Sequence, residues 1–108
     1  TLKTITENTG VDIKSDAGSK VQAVFSGIVT TVTYIRGYGN TVIIDHGAGF
    51  YTVYTHVDDV EVNENVYVKA RQIIAHVGKP DTGNSSKLHF EIWGNREKLN
   101  PEHWLSKG

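Results

Sequence analysis

The chain has 108 residues, with 11 lysines and arginines, 12 aspartates and glutamates, five histidines and no cysteine. That length predicts one domain over residues 1–108 with a single modest core, and a net charge of −1 argues against nucleic-acid binding. The lack of cysteine excludes disulfides, thiolate zinc sites and cysteine nucleophiles, and no apolar run is long enough to predict membrane insertion.

Strand signals dominate the chain. Segments rich in Val, Ile, Thr, Tyr and Phe predict strands at 20–25, 27–35, 40–45, 50–57, 65–70, 72–77 and 87–93. Turn signals separate them, and short strands at near-regular spacing predict a mainly β fold, an antiparallel β-sandwich or barrel with little helix. One short helical turn is predicted after Pro101.

Alternation along the strands assigns side chains to faces. In the strand at 50–57, it predicts that His56 shares a face with Tyr54. In the strand at 87–93, one face is apolar, and Lys87 and His89 project from the opposite face, away from the main core. The same polar face carries Glu91 and Trp93.

The turn between the second and third predicted strands holds Arg36 and Tyr38, with Gly37 and Gly39 beside Tyr38. The glycines indicate positive φ angles in a tight hairpin. Arg and Tyr are also enriched at binding hot spots, so both a structural and a binding interpretation stay open here. A lone histidine near a strand end is usually structural. No role is assigned to His46, His76 or His103.

Four segments in this order resemble the LytM-type domain of zinc-dependent peptidoglycan peptidases, the lysostaphin-like M23 family. They are GVDI followed by GSKVQAVFSGIV, then GYGNTVIIDHGAGFYTVYTHV, then QIIAHVG, then KLHFEIW. The resemblance runs from Gly10 to Leu105 and implies an antiparallel β-sandwich of the duplicated hybrid motif type.

In active members of this family, the first metal ligands lie in a His-x-Gly-[Val/Ile]-Asp pattern. One catalytic histidine lies in Tyr-x-His, and a second lies with the last ligand in His-x-His. Here Asn8 replaces the first ligand histidine while Asp12 is present, and Tyr54-Thr55-His56 is intact. In Lys87-Leu88-His89, lysine replaces the catalytic histidine while the ligand His89 remains.

Both replacements act against a zinc enzyme. The neutral amide oxygen of Asn8 is a poor zinc ligand beside imidazole, and the ammonium group of Lys87 repels a dication. Lysine also cannot replace a neutral imidazole in proton transfer unless its pKa falls far. The sequence therefore predicts no bound metal, no other cofactor and no catalytic residue.

A changed site of this kind resembles the murein hydrolase activators, the EnvC-like branch of the family. The resemblance implies a non-catalytic domain that binds and stimulates a periplasmic N-acetylmuramoyl-L-alanine amidase when peptidoglycan is split at cell division. It implies a location in the periplasm or cell envelope, and peptidoglycan is a further candidate partner. It also implies the C-terminal part of a longer chain, whose preceding coiled-coil region, absent here, docks to the division machinery.

The former substrate cleft is the expected docking surface for a segment of the amidase. Its expected residues are Asn8, Asp12, Arg36, Tyr38, Tyr54, His56, Lys87 and His89. Two alternatives stay open. One is a residual zinc-dependent endopeptidase that binds metal through Asp12, His89 and a third donor, and the other is a passive peptidoglycan-binding module. Asn65 and Arg71 stand in turns where the family usually has glycine.

Overall fold

The computed structural model describes residues 10–79, 86–94 and 97–99, and its regular elements are antiparallel β-strands. The strands are β1 (Val11–Lys14), β2 (Lys20–Gln22), β3 (Gly27–Ile35), β4 (Gly39–Gly47), β5 (Phe50–Asp58), β6 (Tyr67–Val68), β7 (Ile73–Val77), β8 (Lys87–Gly94) and β9 (Glu97–Leu99). Their order in the main sheet is β1-β8-β5-β4-β3-β6, and β9 pairs with the end of β8. The prediction of a mainly β, antiparallel fold is confirmed.

Strands β2 and β7 lie off the main strand order and form a side arm of the same sheet. They pair with each other, and β7 joins the sheet where Val57 of β5 pairs with Val77. Their apolar side chains belong to the same buried cluster as those of β4, β5 and β8. Burial of apolar surface in this shared cluster is the main source of stability in such a fold.

Two predicted strands are shorter than expected. The strand predicted at 20–25 ends at Gln22 because the next backbone N–H groups have other partners: Ala23 N donates to the Gln72 carbonyl and Val24 N donates to the Tyr54 hydroxyl. The strand predicted at 65–70 is confined to β6. The short strands β1 and β9 were not predicted, because neither is long enough to show a clear alternation.

The unusual turn residues adopt left-handed backbone conformations. Gly37 and Gly39 have φ angles of 90° and 79°, which confirms the tight hairpin. Asn65 and Arg71 both have φ of 71°, the region that the family glycines would occupy with less strain. Arg71 is therefore held in a conformation that its side chain disfavours.

Asn8 and the short helix predicted after Pro101 lie outside the described residues. Within the part of the chain that the structure describes, no helix is long and apolar enough to cross a membrane.

Candidate functional site

A chain of polar side chains runs along the outer face of β8. Asp12 of β1 is the strand partner of His89, and its Oδ1 lies 2.7 Å from His89 Nδ1. Lys87 Nζ lies 3.3 Å from Asp12 Oδ2. On the other side of the imidazole, Nε2 lies 2.8 Å from Glu91 Oε2, and Trp93 Nε1 donates to Glu91 Oε1 at 2.8 Å. We call these five side chains the His89 network.

The charges in this network stabilise one another. The hydrogen bond to Glu91 raises the pKa of His89; burial opposes this shift, but Asp12 adds to it. Burial alone would raise the pKa of Asp12, but hydrogen bonds and positive charges from His89 and Lys87 outweigh burial and lower it. The network therefore favours an imidazolium between two carboxylates, with Lys87 as a second cation.

The donor set does not fit the zinc site that the family resemblance implies. A catalytic zinc site needs three nitrogen, sulfur or carboxylate donors. Asp12 and His89 supply two, and the ammonium group of Lys87 lies 3.3 Å from Asp12 Oδ2, where its charge would repel a dication. Among the residues that the structure describes, no three His, Asp or Glu side chains are arranged to hold a metal ion.

His56 lies on the strand next to this network, in an unusual backbone conformation. Thr41 pairs with Thr55 and Asn40 pairs with Val57, which leaves His56 as the extra residue of a β-bulge. Its φ angle is 63°, in the left-handed region. The bulge resets the alternation, so that Val57 returns to the core beside Tyr54. The prediction that His56 shares a face with Tyr54 is therefore wrong.

Tyr54 is also wrongly placed by the sequence prediction, because it belongs to the core and not to a cleft. It is 1% exposed, and its hydroxyl accepts the Val24 N–H at 3.0 Å and lies 2.9 Å from Thr52 Oγ1. Burial raises the pKa of Tyr54, and the two hydrogen bonds oppose this shift. His46 extends the same polar chain, with Nε2 2.7 Å from Thr52 Oγ1 and Nδ1 2.7 Å from the Ser26 carbonyl oxygen.

The turn with Arg36 and Tyr38 brings a partly exposed aromatic side chain to the network. The Tyr38 ring lies 6.3 Å from the His89 ring between centroids, and the Tyr38 carbonyl accepts the His56 N–H at 3.0 Å. Arg36 is exposed in the same turn. The structure thus brings together Asp12, Tyr38, Lys87 and His89 directly, and connects His56 to them through the backbone of Tyr38.

A groove of about 670 Å³ opens on the outer face of the sheet beside the network. Its floor comes from β4, β5 and β8, and Glu91 and Trp93 lie in both the groove and the network. The apolar side chains that line it are Ile35, Tyr38, Ile43, Tyr51, Val53 and Trp93. Large apolar side chains left in a concave surface are typical of a binding site.

Sequence reasoning missed most of this groove. Of the predicted cleft residues, Tyr38 lines it. Alternation had already placed Glu91 and Trp93 on the face of His89, so a signal for both was present. No such signal was present for the groove residues of β4 and β5. A central strand with apolar residues on both faces looks as if both faces were buried in a core.

The comparisons with known proteins agree with this geometry. The model for peptidase family M23 matches residues 6–101, so the chain belongs to that family. In three dimensions it is similar to the catalytic domain of lysostaphin from Staphylococcus simulans, with a TM-score of 0.80, 26% identity, and coverage of 92% of this chain and 79% of that one.

Two curated relatives carry the name of murein hydrolase activators. NlpD of Escherichia coli is 41% identical over 102 residues, which cover 91% of this chain and 26% of NlpD. EnvC of Escherichia coli is 32% identical over 98 residues, which cover 91% of this chain and 23% of EnvC. The chain therefore spans about a quarter of the length of these relatives.

Proposed function

We propose that this domain is a catalytically inactive murein hydrolase activator, which binds and stimulates a cell-wall amidase in the periplasm or cell envelope. The relatives named NlpD and EnvC support this assignment, as does the membership of family M23. The name of a third relative, outer membrane antigenic lipoprotein B of Haemophilus influenzae, supports the location; it is 40% identical and covers 93% of this chain and 25% of that relative.

The observation that carries the proposal is the ion pair between Lys87 and Asp12. A catalytic zinc site needs three good donors and an open position for water. Here Lys87 Nζ lies 3.3 Å from Asp12 Oδ2, where its charge opposes the binding of a dication by Asp12 and His89. A charged surface of this kind suits binding more than hydrolysis.

The groove supplies the apolar part of the docking surface. Its exposed side chains include Tyr38 at 46% and Tyr51 at 38%, so a partner segment would bury aromatic area against them. Lys87 and Arg36 lie beside this region and would attract carboxylates on the same segment. Docking would shift the amidase from an occluded to an open state if the segment binds this domain more tightly in the open state.

The direct test is amidase stimulation by the purified domain at micromolar concentration. We expect faster release of peptides from peptidoglycan by the cognate amidase, and no release by the domain alone. An unchanged amidase rate would contradict the proposal.

Tyr38 and Tyr34 provide a matched pair of variants. Both are exposed tyrosines near the same hairpin, but only Tyr38 lines the groove. Loss of an aromatic hot spot is typically worth about 2 kcal/mol, so Tyr38→Ala should weaken amidase binding by about 30-fold, whereas Tyr34→Ala should bind like the wild type. Arg36→Ala and Lys87→Glu should also lower stimulation, and wild-type behaviour in both would count against the docking surface.

Two other functions remain outcomes of these experiments. Retention of about one equivalent of zinc after dialysis, with cleavage of peptide cross-links, would indicate a residual endopeptidase. Retention on insoluble sacculi without amidase stimulation would indicate a passive peptidoglycan-binding module.

A further inference from the structure

The backbone of His56 is held at both its N–H and its carbonyl, and a side-chain bond holds the residues beside it. Its N–H donates to the carbonyl of Tyr38 in the hairpin turn at 3.0 Å, and its carbonyl accepts the N–H of Gly78 after β7 at 2.8 Å. Directly after the bulge, Asn40 Nδ2 donates to Asp58 Oδ1 at 3.2 Å. Asp58 Oδ2 lies 3.4 Å from the backbone N of Lys79.

The bond between Asn40 and Asp58 lies directly beside the bulge. Asn40 pairs with Val57, the residue that follows His56, and Asp58 is the next residue of β5. A charged acceptor makes this bond stronger than one between neutral groups, and both side chains are partly buried. The bond therefore fixes the segment that directly follows His56 to the start of β4.

A non-glycine residue with a positive φ persists only where its surroundings hold it, and such residues are frequent at binding and catalytic sites. The imidazole of His56 is partly exposed beside the Tyr38–Gly39 turn. Among the residues that the structure describes, no side chain or backbone group is hydrogen-bonded to this ring. The strained backbone thus presents a ring with free hydrogen-bonding capacity next to the docking surface.

We propose that Asn40 and Asp58 are positioning residues, whose hydrogen bond holds the bulge so that His56 is presented to the docked partner. This inference rests on the proposed function, because the partner is the amidase segment. His56 makes the contact, and Asn40 and Asp58 act through it.

The test first introduces a repulsion between residues 40 and 58 and then removes it by exchanging the two side chains. Asn40→Asp places a second carboxylate against Asp58, so the bond becomes a repulsion. The double variant Asn40→Asp with Asp58→Asn restores it with the roles reversed, since the new amide at 58 can donate to the carboxylate at 40 and still accept the Lys79 N–H. Amide hydrogen exchange of His56 is measured by NMR, with the amide of Val29, bonded to the Val66 carbonyl, as the internal control.

We expect the His56 amide to exchange about 10-fold faster or more in Asn40→Asp and at the wild-type rate in the double variant, while Val29 exchange stays constant in both. Amidase stimulation should fall in Asn40→Asp to the level of His56→Ala and recover in the double variant. A structural effect without positioning would change Val29 exchange as well, or would not recover.

The two proposals fail in different ways. Wild-type His56 exchange in Asn40→Asp overturns the positioning role, whatever the amidase does. Wild-type stimulation by Asn40→Asp or by His56→Ala also overturns it, while the proposed function survives if Tyr38→Ala is impaired. If the wild-type domain does not stimulate the amidase, the proposed function is overturned, and the exchange measurement still decides whether the bond holds the bulge.

Discussion

His56 and His89 lie on adjacent strands, and the residue before His56 is the strand partner of His89. Yet different forces hold the two histidines. His89 lies in a regular strand, and both of its ring nitrogens contact carboxylates, so its side chain is fixed by charge. His56 is fixed through its backbone, which is strained and anchored at both the N–H and the carbonyl. Two positions of one family site can thus be specified by independent means, and each can be broken separately.

The largest effect is expected from Glu91→Ala. Glu91 is 8% exposed and contacts the charged ring of His89, so its removal leaves a partly buried cation without one of its counter-charges. We expect a loss of about 3 kcal/mol in the free energy of unfolding, measured by denaturant titration. Glu64→Ala is the control, because Glu64 accepts the Val32 N–H at an exposed position and should lose about 1 kcal/mol or less. Equal losses in the two variants would contradict a charge-fixed network.

Gly78→Ala is expected to disturb the backbone of His56. A Cβ atom at this position would lie 2.8 Å from the His56 carbonyl oxygen, which is closer than a Cβ atom can approach backbone. The strand ends must shift, and we expect a loss of about 2 kcal/mol in stability and a large change in the His56 amide resonance. The resonances of the His89 network should move little.

Gly18→Ala is a suitable control for that variant. Gly18 has a φ of 88°, but nothing lies within 4 Å of an added Cβ, so the variant tests backbone strain without a clash. It should leave the His56 resonance in place. A shift of equal size in both variants would show that the bulge responds to general destabilisation and not to Gly78.

His56→Gly should make the domain more stable but less able to stimulate the amidase. Glycine tolerates a φ of 63° without the clash of a Cβ atom, although it loses more entropy on folding. We expect a net gain of about 0.5–1 kcal/mol in the free energy of unfolding, together with reduced amidase stimulation. His56→Ala keeps the strain, so it should show the functional loss without the gain. An unchanged or lower free energy of unfolding in His56→Gly would mean that the bulge is not strained.

The smallest effect is a pH dependence of stability from the His89 network. Folding raises the pKa of His89 above its ordinary value of 6.5. The stability that His89 contributes is therefore complete below pH 6.5 and is lost as the pH rises through the raised pKa. The pKa of Asp12 is lowered from 3.8, so its contribution is lost only as the pH falls through the lowered value. We expect thermal stability to decline from neutral to alkaline pH, and His89→Gln should remove that decline. Thr33→Ala, at an exposed position without a titratable group, serves as the control, and its decline should match the wild type.

Local patterns predicted the elements better than the site. The strand at 27–35 is confirmed residue for residue, and the apolar and polar faces of β8 are as alternation predicts. The bulge was not predictable, since His56 carries no turn signal and alternation assumes regular pairing. The contact of Asp12 with His89 depends on pairing between residues 77 positions apart, which no local pattern determines. Tyr54 was misplaced because a family motif marks its position without stating which way the side chain points.

The pairing of β1 with β8 has a consequence for folding. Strands β3, β4 and β5 follow one another along the chain as adjacent antiparallel partners, so they can pair soon after they are made. Strand β1 pairs with β8, which is far along the chain. It therefore stays unpaired until β8 has been synthesised and the long loop between them can close. The contact between Asp12 and His89, and the part of the groove that β8 supplies, are thus among the last parts of the molecule to form.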